Sequence, residues 1–237
     1  GMIVARSDPT ALKHKGLTYF YVDMKTPGIE AKPIKQISGS ANFNEVFFND
    51  VRIPDSQRIG AEGDGWKVSL TTLMNERLAV GDPPGLDFDQ IFEASKEIEV
   101  EDGLAVKNSE VRQKMADWYI QSRGLQYTKY RSMTALSKGQ TPGPELSISK
   151  LVTASKMQDV SSYALDLMDM SGMVHQDKNP ILKNLFQNGY FFSAAMRIAG
   201  GTDEVLRNII AERVLGLPQD ERSDKKLPFN ELPSGKN

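Results

Sequence analysis

One change of rhythm constrains this chain more than any other feature. Up to about Arg58 the apolar residues come in short runs of period two. After Gly60-Ala-Glu-Gly-Asp-Gly65 they recur at helical intervals almost to the end. Residues 2–7, 17–23, 29–37 and 44–53 read as strands, closed by Asp8-Pro9, Thr26-Pro-Gly28, Ser38-Gly-Ser-Ala41 and Pro54-Asp-Ser56. Residues 17–23 are the richest in aromatic and β-branched side chains. In 44–53, Val46 and Phe48 alternate against Phe47 and Asn49. Four such strands make an incomplete sheet with open edges, which proteins usually cover.

Beyond the switch the spacing predicts helix over 66–80, carrying Val68, Leu70, Leu73, Met74 and Leu78. Gly81-Asp-Pro-Pro-Gly85 interrupts it with a kink or short loop, because an interior proline removes a donor and clashes with the previous turn. Helix resumes to about Ile98, and Glu99-Val-Glu-Asp-Gly103 is an acidic break. Further helices are expected over 109–138 with Ser109 as N-cap, over 146–170 and over 180–199. The 146–170 helix has Leu151, Ala154, Met157, Val160, Ala164, Leu167 and Met168 on its apolar face. The methionines on such faces read as core filling, not redox chemistry. Long helices in this order suggest an up-and-down bundle. The expected fold class is α+β and mostly α. A partial β-sheet or barrel segment occupies 1–60, a four-helix bundle 61–218, and a frayed polar tail 219–237.

Composition removes several function classes. Charged residues make up 25% of the 237 and the formal net charge is −2, so no basic stripe points to nucleic acid. No apolar run approaches the roughly 20 residues that span a bilayer, and the N-terminus lacks a signal-peptide pattern. Cysteine is absent, which excludes disulfides, thiolate nucleophiles and Cys-ligated metals and fits a cytoplasmic location. His14 and His175 stand in separate polar stretches. No His/Asp/Glu group has metal-ligand spacing, and neither a Gly-x-Ser-x-Gly nor a P-loop occurs.

The most informative stretch is Met196-Arg-Ile-Ala-Gly-Gly-Thr-Asp-Glu-Val-Leu-Arg-Asn-Ile-Ile-Ala-Glu-Arg-Val-Leu-Gly-Leu-Pro218. Thr202 suits an N-cap, and Asp203 and Glu204 suit the positive end of a helix dipole. Val205, Ile209, Ile210 and Val214 repeat at helical intervals, with Leu206 beside them. Gly216 is placed to cap the helix, with Pro218 beyond. A helix start after two glycines offers exposed N–H groups to a phosphate, an adenine edge or a thioester oxygen. The same residues equally describe a well-capped helix and nothing more.

Gly200-Gly-Thr-Asp-Glu-Val-Leu-Arg-Asn-Ile-Ile-Ala-Glu-Arg213 resembles the final-helix signature of the acyl-CoA dehydrogenases. A second stretch, Phe43-Asn-Glu-Val-Phe-Phe-Asn-Asp-Val-Arg-Ile-Pro54 followed by Gly63-Asp-Gly-Trp66, is similar to the end of that family's central β-domain and the entry to its C-terminal bundle. The two stand in the family's order and at its usual separation. The resemblance implies a chain that begins inside the β-domain. It also implies α,β-dehydrogenation of an acyl-CoA, with FAD as hydride acceptor and a glutamate as base. Such chemistry needs a cofactor, since no side chain takes a hydride, and a positioned base for the α-proton. Implied partners are subunits of the same kind, in a homo- or hetero-oligomer, and an electron-transfer flavoprotein.

Most members carry the base just before the final helix, in a Tyr-Glu-Gly-Thr context. Here Ala199-Gly200-Gly201-Thr202 stands there, without a carboxylate. A minority place it early in the bundle, in a segment resembling Leu73-Met-Asn-Glu-Arg-Leu78. That makes Glu76 the candidate base and Arg77 a pocket-lining residue. Read without the family, Glu76-Arg77 is an ordinary surface pair. The resemblance assigns the Gly200 N–H to the thioester carbonyl and Gly201, Thr202 and Glu204 to cofactor-binding positions. Glu204 is a charged variant that would repel a pyrophosphate. Two departures concern the inter-subunit flavin site. Glu99-Val-Glu-Asp-Gly103 replaces an Arg-x-x-Phe-Gly turn, and Met170-Ser-Gly-Met173 replaces a glycine-rich stretch. A mixed assembly in which another subunit supplies the intact half accounts for both, and so does lineage variation. The rival reading from another class is a non-catalytic oligomerisation or partner module that does not bind FAD alone.

Overall fold

The structure is a computed structural model and describes residues 1–79, 86–140, 146–174, 181–221 and 223–232. The side chains of 74–79, 146, 181–183, 223 and 225 lie outside that description. The chain forms two compact units, Gly1–Gly81 with Asp220–Asn237, and Asp82–Gln219. The fold class is α+β and mostly α, as the change of period requires.

In the first unit, β1 (Met2–Arg6), β2 (Leu17–Tyr21) and β5 (Arg58–Ile59) form an antiparallel sheet in the order β1-β2-β5. β3 (Ile29–Ile34) and β4 (Phe43–Phe48) form a separate antiparallel ribbon, with Ile29 opposite Phe48 and Ile34 opposite Phe43. The four expected strands therefore exist but do not make one sheet. The short β5, which carries no alternation of its own, takes the place beside β2. Every residue of β4 is exposed, Phe43, Val46, Phe47 and Phe48 included, so its alternation does not mark a buried face.

Helix α1 (Gly65–Ala79) packs on β2 and β1. The Gly63-Asp-Gly-Trp66 stretch makes this contact. The Gly63 N–H donates to the buried Thr18 hydroxyl at 3.2 Å. A Cβ on Gly65 would lie 2.7 Å from the backbone of Leu17 and Thr18, so only glycine admits this approach. The Trp66 indole stacks on His14 with ring centroids 4.2 Å apart. The last described residues return to the same unit. Pro228 bridges Leu12, the Asn230 N–H donates to the Pro9 carbonyl at 3.1 Å, and the Arg6 guanidinium lies 3.8 Å from the Phe229 ring centroid. The expectation of a frayed tail is corrected over these residues. Its polar composition hid a proline and an aromatic ring that pack.

In the second unit, α2 (Phe88–Ser95) is opened by a capping box of Asp87 and Gln90. The acidic break becomes a hairpin, β6 (Glu99–Val100) and β7 (Gly103–Leu104), with Glu99, Glu101 and Asp102 exposed. Helix α3 (Ser109–Ser137) follows. Its N-cap is Asn108, one residue before the expected Ser109, and the Asn108 side chain accepts from the Glu110 and Val111 N–H groups. Helix α4 (Leu146–Leu167) is packed by α3, by α6 (Ile181–Met196) and by α7 (Asp203–Arg213), with the short α5 (Met170–Met173) between α4 and α6. The predicted apolar face of α4 is the buried one. Ala154, Met157, Val160 and Ala164 are buried, and all but Ala154 share one core cluster with Ile91, Met115, Trp118 and Phe186. On α7 the anchor is Leu206, fully buried, while Val205 and Val214 are half-exposed. Of the expected stripe, Ile209 and Ile210 are partly buried beside Leu206, while Val205 and Val214 fall outside it. The C-cap is Val214, not the expected Gly216, which stands two residues further on at φ +69°, and the Leu217 N–H reaches back to the Ala211 carbonyl. The expected kink at 81–85 and His175 lie outside the described residues.

Candidate active site

The predicted site residues fall in both units. Glu76 and Arg77 lie in the backbone of α1, but their side chains are outside the described residues. Gly200, Gly201, Thr202 and Glu204 form the entry to α7 in the second unit.

At that entry, Gly200 and Gly201 adopt φ +69° and +106°, a region L-residues rarely enter. A Cβ built on Gly200 would meet nothing within 4 Å, so the turn faces open space. Among the described residues neither glycine N–H finds an acceptor. Thr202 is the N-cap, its hydroxyl accepting from the Val205 N–H at 3.3 Å. Glu204 is fully exposed, and bonds from its own N–H and from Thr202 hold its carboxyl below the usual range. This end of α7 therefore carries a standing anion and a hydroxyl already accepting from the helix. An anion fixed at this turn does not fit a flavin pyrophosphate. The open N–H groups fit a single oxygen, such as that of a thioester.

The turn is held from behind by charges that the periodicity did not reveal. Asp203 is 3% exposed. Its Oδ2 accepts from Arg197 Nε at 2.7 Å, and Arg197 also donates to Gln158 Oε1 at 2.8 Å. Its Oδ1 has no hydrogen bond and lies 3.8 Å from Lys150 Nζ. Lys150 in turn donates to the Gly201 carbonyl at 2.6 Å. Burial lowers the Lys150 pKa, opposed by the Asp203 carboxylate. A fully buried cation, Lys156, bonds Asp87 at 2.7 Å and Ser122 at 2.8 Å. The available signal was Lys150 and Lys156 standing beside the apolar positions of α4. A lysine so placed must find a partner. Among the described residues no three His, Cys, Asp or Glu side chains group as metal ligands, and no helix is long and apolar enough to cross a membrane.

Residues 63–215 match the family model described as the acyl-CoA dehydrogenase C-terminal domain. The chain is 34% identical over 221 residues to the acyl-CoA dehydrogenase FadE34 of Mycobacterium tuberculosis, covering 92% of this chain and 29% of that one. It is 34% identical to the acyl-CoA dehydrogenase IpdE1 of the same organism, covering 93% of this chain and 56% of the relative. Among solved structures, the steroid ACAD Tcur3481-Tcur3483 superposes with a TM-score of 0.78 at 22% identity, over 92% of this chain and 56% of that one. The chain thus spans about a third to somewhat over half of the length of these relatives. The final-helix stretch lies inside the family-model match, Phe43–Pro54 precedes it, and the chain belongs to the acyl-CoA dehydrogenase family, whose members are FAD-binding oxidoreductases.

Proposed function

We propose that this chain is the C-terminal portion of an enzyme that α,β-dehydrogenates an acyl-CoA thioester. The observation that carries the reading is the Gly200–Gly201 turn, open to solvent and with unbonded N–H groups. Donors fixed before reaction stabilise charge as it develops on the thioester oxygen, which is where removal of the α-proton places it. Glu76 is the base, Arg77 lines the acyl pocket, and Gly200 supplies the carbonyl contact. FAD, the family's cofactor, would supply the hydride acceptor and would be held elsewhere in the assembly, since the exposed Glu204 carboxylate disfavours its pyrophosphate here. The assembly is a homo- or hetero-oligomer of family subunits in the cytoplasm, with an electron-transfer flavoprotein as electron acceptor.

Joined to or assembled with the remainder of a family-length protein, Glu76→Gln lowers the rate of substrate-driven flavin bleaching by about 10²–10⁴-fold. Acyl-CoA affinity stays within a few-fold, because the substitution touches neither the CoA nor the acyl contacts. Wild-type turnover by Glu76→Gln ends the assignment. A second reading is favoured by one observation, the absence of a carboxylate at Gly200. It makes this chain a non-catalytic partner module, and it predicts that Glu76→Gln leaves the turnover of the assembly unchanged.

A further inference from the structure

We propose that Lys150 is a positioning residue: its ammonium locks the Gly201 carbonyl and thereby fixes the direction in which the Gly200–Thr202 turn presents its N–H groups. The inference rests on the reading of this turn as the thioester contact, but its geometry is independent of that reading. Two successive glycines at positive φ give this turn more conformational freedom than any other residue pair would. The described contacts show what restrains it. The Gly201 carbonyl is taken by Lys150 at 2.6 Å, from α4, a helix fifty residues away in sequence. The peptide that joins Gly201 to Thr202 is planar and trans, so its carbonyl and N–H point in opposite directions. Anchoring the carbonyl toward Lys150 turns the Thr202 N–H away from it, toward a side on which the described residues offer no acceptor.

Lys150 is itself held. Its side chain is 20% exposed, and it stands 3.8 Å from the one Asp203 oxygen that lacks a hydrogen bond, while Arg197 occupies the other oxygen. The carboxylate thus serves as a fixed counter-charge behind the lysine and belongs to the first turn of α7. A methionine at 150 would fill similar volume and leave the glycine pair without its charged restraint. An arginine would keep a cation of longer reach, with a planar donor fork in place of a point charge.

The test uses the chain as it stands, with backbone amide order parameters from NMR relaxation as the readout. Lys150→Met is expected to lower the order parameters of Gly200, Gly201 and Thr202 from about 0.85, the rigid range, to below about 0.6. Those in the core of α3 should not change, and Lys150→Arg should recover part of the order at the turn. Unchanged order parameters at the turn in Lys150→Met, or equal loss in α3, overturn the proposal. If Lys150→Met does not fold, Lys150→Gln carries the same comparison, since it keeps an N–H donor but not the charge or the reach. The assembled enzyme then separates the two readings. Loss of the red shift of a bound chromophoric enoyl-CoA in Lys150→Met, with Kd unchanged, shows that the positioned donors polarise the thioester. A turn that loosens in its order parameters while the enoyl-CoA spectrum stays the same leaves Lys150 as the positioning residue and refutes the thioester assignment.

Discussion

Lys156→Met tests the buried charge cluster of the second unit. The Lys156 side chain is 2% exposed and its ammonium bonds Asp87 at 2.7 Å and Ser122 at 2.8 Å. Ser122 also donates to Asp87, so lysine, serine and the α2 N-cap form one network. Removing one partner of a fully buried pair costs about 3–5 kcal/mol. Here the carboxylate left behind is 44% exposed, can be hydrated, and keeps the bonds from Ser122 and the Phe88 N–H. Methionine also fills most of the vacated volume. The loss is therefore nearer one charge-assisted hydrogen bond, about 1–3 kcal/mol. For a chain of this size that lowers Tm by roughly 3–10 °C. The pH dependence supplies a second check. Burial pushes the Asp87 carboxyl up. The bonds from Lys156, Ser122 and the Phe88 N–H, with the Lys156 charge, more than reverse this, so its folded pKa lies below 3.8. A carboxyl depressed on folding contributes stability above its unfolded value and loses it as pH falls through its folded value. The gap between wild type and Lys156→Met should therefore be full at neutral pH and narrow below about pH 3.8. Thermal melts by circular dichroism across that range measure it. A variant as stable as wild type at neutral pH, or a gap that does not change with pH, would refute the reasoning.

Gly200→Ala should meet no steric contact yet cost about 1–2 kcal/mol, because alanine at φ +69° is strained, and chemical denaturation measures this. In the assembled enzyme, Gly200→Glu added to Glu76→Gln should restore part of the lost activity, since the space beyond Gly200 is open and the commoner base of the family projects from there. Phe229→Ala removes the ring under Arg6 and should speed limited proteolysis near residues 223–232 without changing the helical circular dichroism signal. Titration of the chain with FAD should show no tight binding, and Glu204→Gln should strengthen what binding there is; stoichiometric, tight uptake by wild type would contradict the electrostatic argument.

The sequence by itself determined the division into strands and helices, the apolar face of α4 and the capped start of α7 at Thr202. These are local matters. Period two, period 3.6, a hydroxyl before a helix and a glycine after it each act within one or two turns of chain. It also determined the family, because the two motifs are contiguous. Only the tertiary structure decided that β3 and β4 leave the sheet, that β5 joins it, and that Pro228 and Phe229 return to β1's side of the first unit. Strand partnership depends on residues far apart in sequence, and a two-residue strand has no period to read. The same holds for charge. Asp203 reads as a residue for the helix dipole, yet it is buried with Lys150 of α4 and Arg197 of the turn after α6 reaching it. No spacing along one segment can announce that, since the desolvation of a carboxylate and the cations that compensate it are properties of the assembled space between helices.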